Sequence, residues 1–538
     1  MAQHMKAAGL TKPQRASRVF EAFLLVLAAI FLGCLALAAP FITGYFINMG
    51  PEGVGADVMN LLTPFNGGAF IAFMFPALGL LCLALFFLFI WNGLRRAPAR
   101  AVVPCALLLL FAASVAWIVL LGTKTNFYND SIRLDQYARA LLSGDFSVFS
   151  ADLGDQGVSY LRVYPFQSGS VWLLAGVYAL FGVGNEMAFQ LLSAVFVVVS
   201  AASLIFITGR LFPGTGTVAL ASVLVVLFAP LTFSAAFVYG NAIGFGLGCA
   251  SLALNVAAMQ QDESLPRRWG LFAAGAVVML LALIVKATFV IMLIALVLAW
   301  LIVLVRERRA PQILIVLAAA VVINSLTSVP VRLLESAVGL SFGDGMPKTS
   351  WIAMGLTWDP YLNRPGWWSP VQATHFAQVD GDTAAQGAFA MEAIKTALGR
   401  FLADPLYCIR FFVYKVMTEW LDPTFQSLYY SATSVSDATS PIAEQVMYNG
   451  YTANRVLTIA MDAYQSLFYI ASFTGLVCAF RHRGSVSPAA LLMVIAFLGG
   501  VACYLIWEAK SVYTMPFALL LLPFAAYGLR SLLDTVKR

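Results

Sequence analysis

The sequence predicts an all-α polytopic membrane protein with about twelve transmembrane helices. Three observations carry this expectation. The 538 residues are 61% hydrophobic and only 11% charged, against roughly 25% charged in a soluble domain. The apolar residues fall in runs of about 20, the length that crosses a bilayer as a helix. The charges collect between those runs and separate by sign from one side to the other.

The runs lie at about 19–41, 68–92, 101–121, 187–209, 214–232, 240–260, 269–286, 287–305, 311–329, 464–480, 486–506 and 512–529. Alternating them places 1–18, 95–100, 210–212, 261–268, 306–309, 481–483 and 530–538 on one side. Those segments hold 18 of the 32 Lys and Arg, whereas 21 of the 26 acids lie on the other side. Excess positive charge marks the cytoplasmic side. Both termini are therefore expected in the cytoplasm and the chain in the plasma membrane, with no cleavable leader ahead of the first run. The net charge of +6 reflects topology. The basic residues form no stripe, so no nucleic-acid partner is expected.

A further apolar run at 166–181 would break the alternation if it crossed. About 16 residues are too few to span comfortably, so it reads as an interfacial or re-entrant helix on the outer side. Two outer segments are then long, 122–186 and 330–462. The expected organisation is two N-terminal helices in 1–100, a helical module in 101–329, the large outer loop 330–462, and three closing helices in 463–538. Within that loop, 404–421 is amphipathic and reads as a surface helix, with Asp404 as N-cap and Pro405 at its first position.

The seven Cys form no CxxC pair and the three His are scattered, which leaves little basis for a disulfide framework or a metal centre. The chemistry concentrates instead in 126–182. Asp130 stands at the start of a polar helix, 131–143. It is either that helix's N-cap or a base held at the membrane surface, and a cap also fixes an acid's position. Asp135 lies about 140° further round the helix and is spaced to pair with Arg139 at i,i+4. Asp152 and Asp155 follow in a loop and either solvate it or position an acceptor. Arg133 and Arg162 suit phosphate or headgroup contacts.

These residues resemble the GT-C family of integral-membrane glycosyltransferases, which includes protein O-mannosyltransferases, lipid A aminoarabinose transferases and many bacterial cell-envelope enzymes. Asp130 matches the family's early acid. Asp135-Gln136-Tyr137-Ala138 through Ser143-Gly144-Asp145 matches its first surface helix. Tyr164-Pro165-Phe166-Gln167 and Phe181-Gly182 match the turn and the end of the second. Ser131 replaces the second acid of the family's Asp-Glu pair, which leaves Asp130 and Asp135 both as candidates for the catalytic acid. The resemblance implies a seven-helix module counted from residue 101, with surface helices at 131–143 and 166–181. Looser similarities to Gram-positive envelope members fall at Tyr239-Gly240-Asn241, Lys286, 351–356, Pro365-Gly366-Trp367-Trp368, and Trp507-Glu508-Ala509-Lys510 with Tyr513.

The resemblance implies transfer of a sugar from a polyprenyl-phosphate carrier to a cell-envelope glycan, lipid or protein on the outer face. Lys286, Lys510 and Glu508 emerge at outer helix ends and are candidates for the carrier phosphate, with Arg133 and Arg162. Tyr164, Gln167, Asp152, Asp155, Trp367 and Trp368 are candidates for the acceptor and sugar. The Trp residues also fit an interfacial aromatic belt. No metal or other cofactor is required. The rival readings are a lipid-linked-sugar flippase, which would predict an internal repeat and charges at mid-membrane, and a polysaccharide polymerase.

Overall fold

The computed structural model describes residues 12–46, 59–62, 69–122, 130–152, 157–260, 264–359, 364–432, 438–483 and 487–537. Ten of its helices are long and apolar enough to cross a membrane: Ala16–Ala38, Pro76–Leu94, Ala99–Leu121, Glu186–Leu211, Asn241–Ala258, Leu265–Val285, Ala287–Arg306, Ala310–Val338, Thr452–Arg481 and Pro488–Ile506. Two bent pairs, Thr215–Leu227 with Ala229–Ala236 and Ser511–Leu519 with Leu522–Val536, bring the number to 12 if each is one span. Each of the twelve expected runs thus has its helix. The polytopic all-α class holds, and two short antiparallel ladders (Thr43–Phe46 with Met59–Leu62, Trp358–Asp359 with Arg364–Pro365) are the only strands among the described residues.

The bends were not expected from hydropathy. They measure 56° and 59°. Pro230 and Pro523 each occupy the second position of the helix after the break, where a missing N–H is harmless but a continuous helix would lose a hydrogen bond. Two spans also overrun the expected loop limits. Ala310–Val338 continues past 330 and Thr452–Arg481 begins before 462, because the chain stays helical across both limits.

The run at 166–181 forms the helix Ser168–Phe181, 14 residues long, which covers about 21 Å. That is short of the hydrocarbon thickness of about 30 Å. It packs against the helices Asp130–Ser143, Leu265–Val285 and Val329–Val338. A second core lies beneath the outer segments, built from Leu134, Tyr137, Phe149, Leu161, Leu174, Tyr178, Phe342 and Phe376, separate from the large core of the bundle.

The helix Pro405–Trp420 starts as expected, with Asp404 accepting from the Tyr407 N–H at 2.9 Å. Only its first half behaves as a surface helix. Leu406, Ile409 and Val413 are exposed, whereas Lys415, Thr418, Glu419 and Trp420 are fully enclosed and pack toward Ser511–Leu519.

Candidate active site

Asp130 is the first described residue of the helix Asp130–Ser143. Its Oδ2 accepts a hydrogen bond from the Tyr239 hydroxyl at 3.1 Å. Tyr239 reaches that position because the broken span ends at Ala236 and the chain turns before Asn241–Ala258. Gly240 makes the close packing feasible: a Cβ there would meet the Val285 carbonyl at 2.5 Å. The same carbonyl accepts from Ser170 Oγ at 2.8 Å. Three elements therefore converge on the end of Leu265–Val285, and Lys286 follows directly.

The Lys286 ammonium sits 4.1 Å from the centre of the Tyr239 ring and 5.7 Å from that of Tyr513, within the range of a cation–π contact. The Gln167 amide donates to the Tyr239 hydroxyl. One phenol thus carries an acid and an amide at its hydroxyl and a cation over its face. Burial, and then the charge of Asp130, raise the Tyr239 phenol well above its ordinary range, so it remains a donor and Asp130 the acceptor. Burial lowers the Lys286 amine to about 8. Asp130 and Glu508 oppose that shift, and Lys510 adds to it. Glu508 is 4% exposed. Burial raises its carboxyl, against Lys510, Lys415 and Lys286, and its Oε1 has no hydrogen-bond partner among the described residues.

Asp135 is placed differently. Arg139 Nε donates to both of its oxygens, at 2.9 and 2.8 Å, and the Tyr178 hydroxyl donates at 2.5 Å. Arg139 also pairs with Glu186 at 3.1 Å. The i,i+4 spacing read from the sequence is therefore realised, as part of a network that ties three helices together.

The remaining candidates disperse. Arg133 is buried and donates to Gln136 on its own helix at 3.1 Å, so it turns inward rather than toward a headgroup. Arg162 bonds Asp380 through Nη1 at 3.2 Å and its carbonyl through Nη2 at 2.5 Å, joining the two outer segments. Tyr164 packs on Tyr160, Phe166 and Trp351. Lys510 is half-buried, just before Ser511–Leu519. Asp152 is exposed, and Asp155 lies outside the described residues. Trp367 does not fit the role of a sugar platform. It is 2% exposed, with its indole N–H toward Thr418 Oγ1 at 3.4 Å, and its faces are covered by the second core. Trp368 is only half-buried at the edge of that core. Phe166, Trp351 and Trp507 form one group of partly open aromatic faces, with Trp351 6.0 Å from Trp507 and 6.1 Å from Phe166. Among the described residues no three of His, Cys, Asp and Glu come together as metal ligands.

Residues 169–331, less than half of the chain, match the family described as dolichyl-phosphate-mannose-protein mannosyltransferase. No curated protein sequence matches the chain. Among solved structures, ArnT from Cupriavidus metallidurans bound to undecaprenyl phosphate aligns at 17% identity. The alignment covers 78% of this chain and 77% of that one, with a TM-score of 0.35. The archaeal oligosaccharyltransferase AglB from Archaeoglobus fulgidus, in complex with an inhibitory peptide and a dolichol-phosphate, aligns at 13% identity over 81% of this chain, with a TM-score of 0.41. The present chain spans about half of its length, 51%. The matched residues run from the short helix Ser168–Phe181 into the span Ala310–Val338, so this part of a bundle of up to twelve apolar helices is similar to a family of mannosyltransferases.

Proposed function

We propose that the protein moves a sugar from a polyprenyl-phosphate carrier to a hydroxyl or amine of a cell-envelope acceptor on the extracytoplasmic face. The observation that carries this reading is the placement of Asp130 and Lys286 on one phenol, that of Tyr239. A displacement at an anomeric carbon needs a base on the attacking side and positive charge where the phosphate departs. The matched family is named for a dolichyl-phosphate-linked donor, which supports a donor of the same class. The charge asymmetry of the loops supports the outer face.

In this mechanism the acceptor oxygen or nitrogen bonds to the anomeric carbon as the bond from that carbon to the phosphate oxygen breaks. The acceptor proton passes to Asp130, and the electron pair leaves with the polyprenyl phosphate. A single displacement inverts the anomeric centre. Tyr239 and Gln167 hold the Asp130 carboxylate in orientation. Lys286 and Lys510 stabilise the departing phosphate, and a protonated Glu508 can donate to it. Two ammonium groups supply this charge without a metal. Asp135 is given a structural role, because its oxygens are already occupied by Arg139 and Tyr178. Phe166, Trp351 and Trp507 replace Trp367 as the surface for a sugar ring.

The test is to incubate the purified protein with polyprenyl-phosphate sugars and an envelope acceptor. The expected products are free polyprenyl phosphate and a glycoside of inverted configuration. The rate should fall by about 10²–10⁴ in Asp130→Asn. A product of retained configuration contradicts the single displacement, and an Asp130→Asn rate within a few-fold of wild type removes Asp130 as base.

A further inference from the structure

The turn that carries Glu508 and Lys510 is gripped from the second outer segment by groups the mechanism above does not use. Lys415, fully buried, donates to three carbonyls: Gly355 at 2.7 Å, Leu505 at 3.2 Å and Trp507 at 2.8 Å. Two of these belong to the end of the last-but-one span, and the third closes the helix Lys348–Gly355. Three carbonyls suit the three N–H bonds of an ammonium. Burial lowers the Lys415 amine to about 8, opposed by Glu419 and Glu508, so the group is cationic below that pH. The cage is tight. A Cβ on Gly366, whose φ is +74°, would meet Lys415 Nζ at 2.6 Å.

The backbone of the same turn is stitched to the outer segment on both sides of Glu508. Glu508 N–H donates to Trp351 at 2.9 Å and Ala509 N–H donates to Gly366 at 3.0 Å. Beyond Lys510, Ser511 Oγ donates to Asp422 Oδ2 at 2.7 Å. Asp422 is also fully buried. Its carboxylate is fixed by Thr424 N–H and Oγ1 and by Gln426 N–H, at 2.9, 2.7 and 2.9 Å. The loop that supplies those donors holds Phe425 and Gln426 at φ of +46° and +56°. Two successive non-glycine residues in the left-handed region are costly and persist only where surrounding structure requires them. Buried charged groups are expensive in the same way unless fully bonded.

We infer that Lys415 and Asp422 are positioning residues for the donor phosphate: they clamp the two ends of the turn 507–511 and so set Glu508 and Lys510 beside Lys286. The inference rests on the reading that this cluster binds the carrier phosphate. Neither residue touches the substrate in this account. Lys415 acts through the carbonyls around Glu508, and Asp422 acts through Ser511, the residue after Lys510. The second outer segment thus does more than cover the site, because it supplies the frame for half of it.

The test uses undecaprenyl phosphate as probe, with binding measured on the purified full-length protein in detergent and thermal stability recorded on the same samples. Lys415→Gln and Asp422→Asn are expected to weaken binding of the folded fraction about tenfold each, and Lys415→Arg to recover part of the loss. A merely structural role lowers the melting temperature without changing the dissociation constant of what remains folded. If Lys415→Gln does not fold, Asp422→Asn decides alone. Lys286→Ala and Lys510→Ala separate the two levels. Unchanged binding in both overturns the phosphate-site reading itself. Weakened binding there, with wild-type affinity in folded Lys415→Gln or Asp422→Asn, overturns the clamp only.

Discussion

Asp130 and Asp135 begin one helix, five residues apart, and the fold treats them in opposite ways. Asp135 is buried at 9% exposure, with both oxygens bonded to Arg139 and a third bond from Tyr178. Asp130 is only half-buried and faces a phenol that a lysine covers from the other side. The Asp135 oxygens are already engaged by Arg139 and Tyr178, which fixes the side chain in the packing of three helices. Within a single helix, then, the two acids have different surroundings, and the proposed mechanism gives the chemistry to Asp130 and a structural role to Asp135.

That contrast can be broken at several points. After Asp130 itself, the largest effect is expected at Lys286. Lys286→Ala should lower kcat by about 10²-fold, the loss typical of one donor to developing charge. The pH profile gives the sharper form of this prediction. The Lys286 amine is held at about 8. It is charged below that value, and the wild-type rate should fall as pH rises through it. Lys286→Arg keeps its charge, so the fall should move to higher pH. A fall that stays near 8 in that variant would assign the titration to another group.

Asp135→Asn should show the reverse signature. It removes a charge from a network that joins three helices, at a cost of about 1–3 kcal/mol in stability, with the per-molecule rate of the folded protein nearly unchanged. Thermal denaturation paired with active-site titration measures both. Tyr239→Phe sits between the two acids in expected effect. It deletes the hydroxyl that orients Asp130 and leaves the ring under Lys286, so kcat should fall about tenfold while the alkaline fall stays in place. Kinetics of that variant across pH would show whether the phenol orients the acid or does more. The smallest effect is expected at Arg162→Ala. Its partner Asp380 is almost fully exposed, and an exposed ion pair is worth about 0–1 kcal/mol. A change of more than tenfold in rate there would mean that Arg162 contacts substrate.

The sequence already showed what depends on local pattern. Apolar length located the helices of all twelve expected runs, two of them as bent pairs, and alternation together with length set 166–181 apart from them. The Asp135–Arg139 spacing and the Asp404-Pro405 helix start were also visible, because both are properties of one helix. The site was half visible. Asp130, Gln167, Lys286 and Glu508 were candidates, but Tyr239 was noted only as part of a loosely similar stretch. Its role depends on a helix broken at Phe228 and on a partner 109 residues away, which no periodicity encodes. Lys415 and Glu419 were absorbed into an amphipathic surface helix. Their i,i+4 spacing was a signal, and their burial against the last two spans could not be read from it. Trp367 erred in the opposite direction, since Trp composition at a membrane surface does not say which faces are covered.

We propose that the first acid of this helix carries the chemistry and the second carries the fold. The most direct measurement is the single-turnover rate of sugar transfer for Asp130→Asn and Asp135→Asn side by side, each normalised to its folded fraction. Asp130→Asn is expected to be folded and at least about a hundredfold slower than Asp135→Asn. Equal rates, or a slower Asp135→Asn, would contradict it.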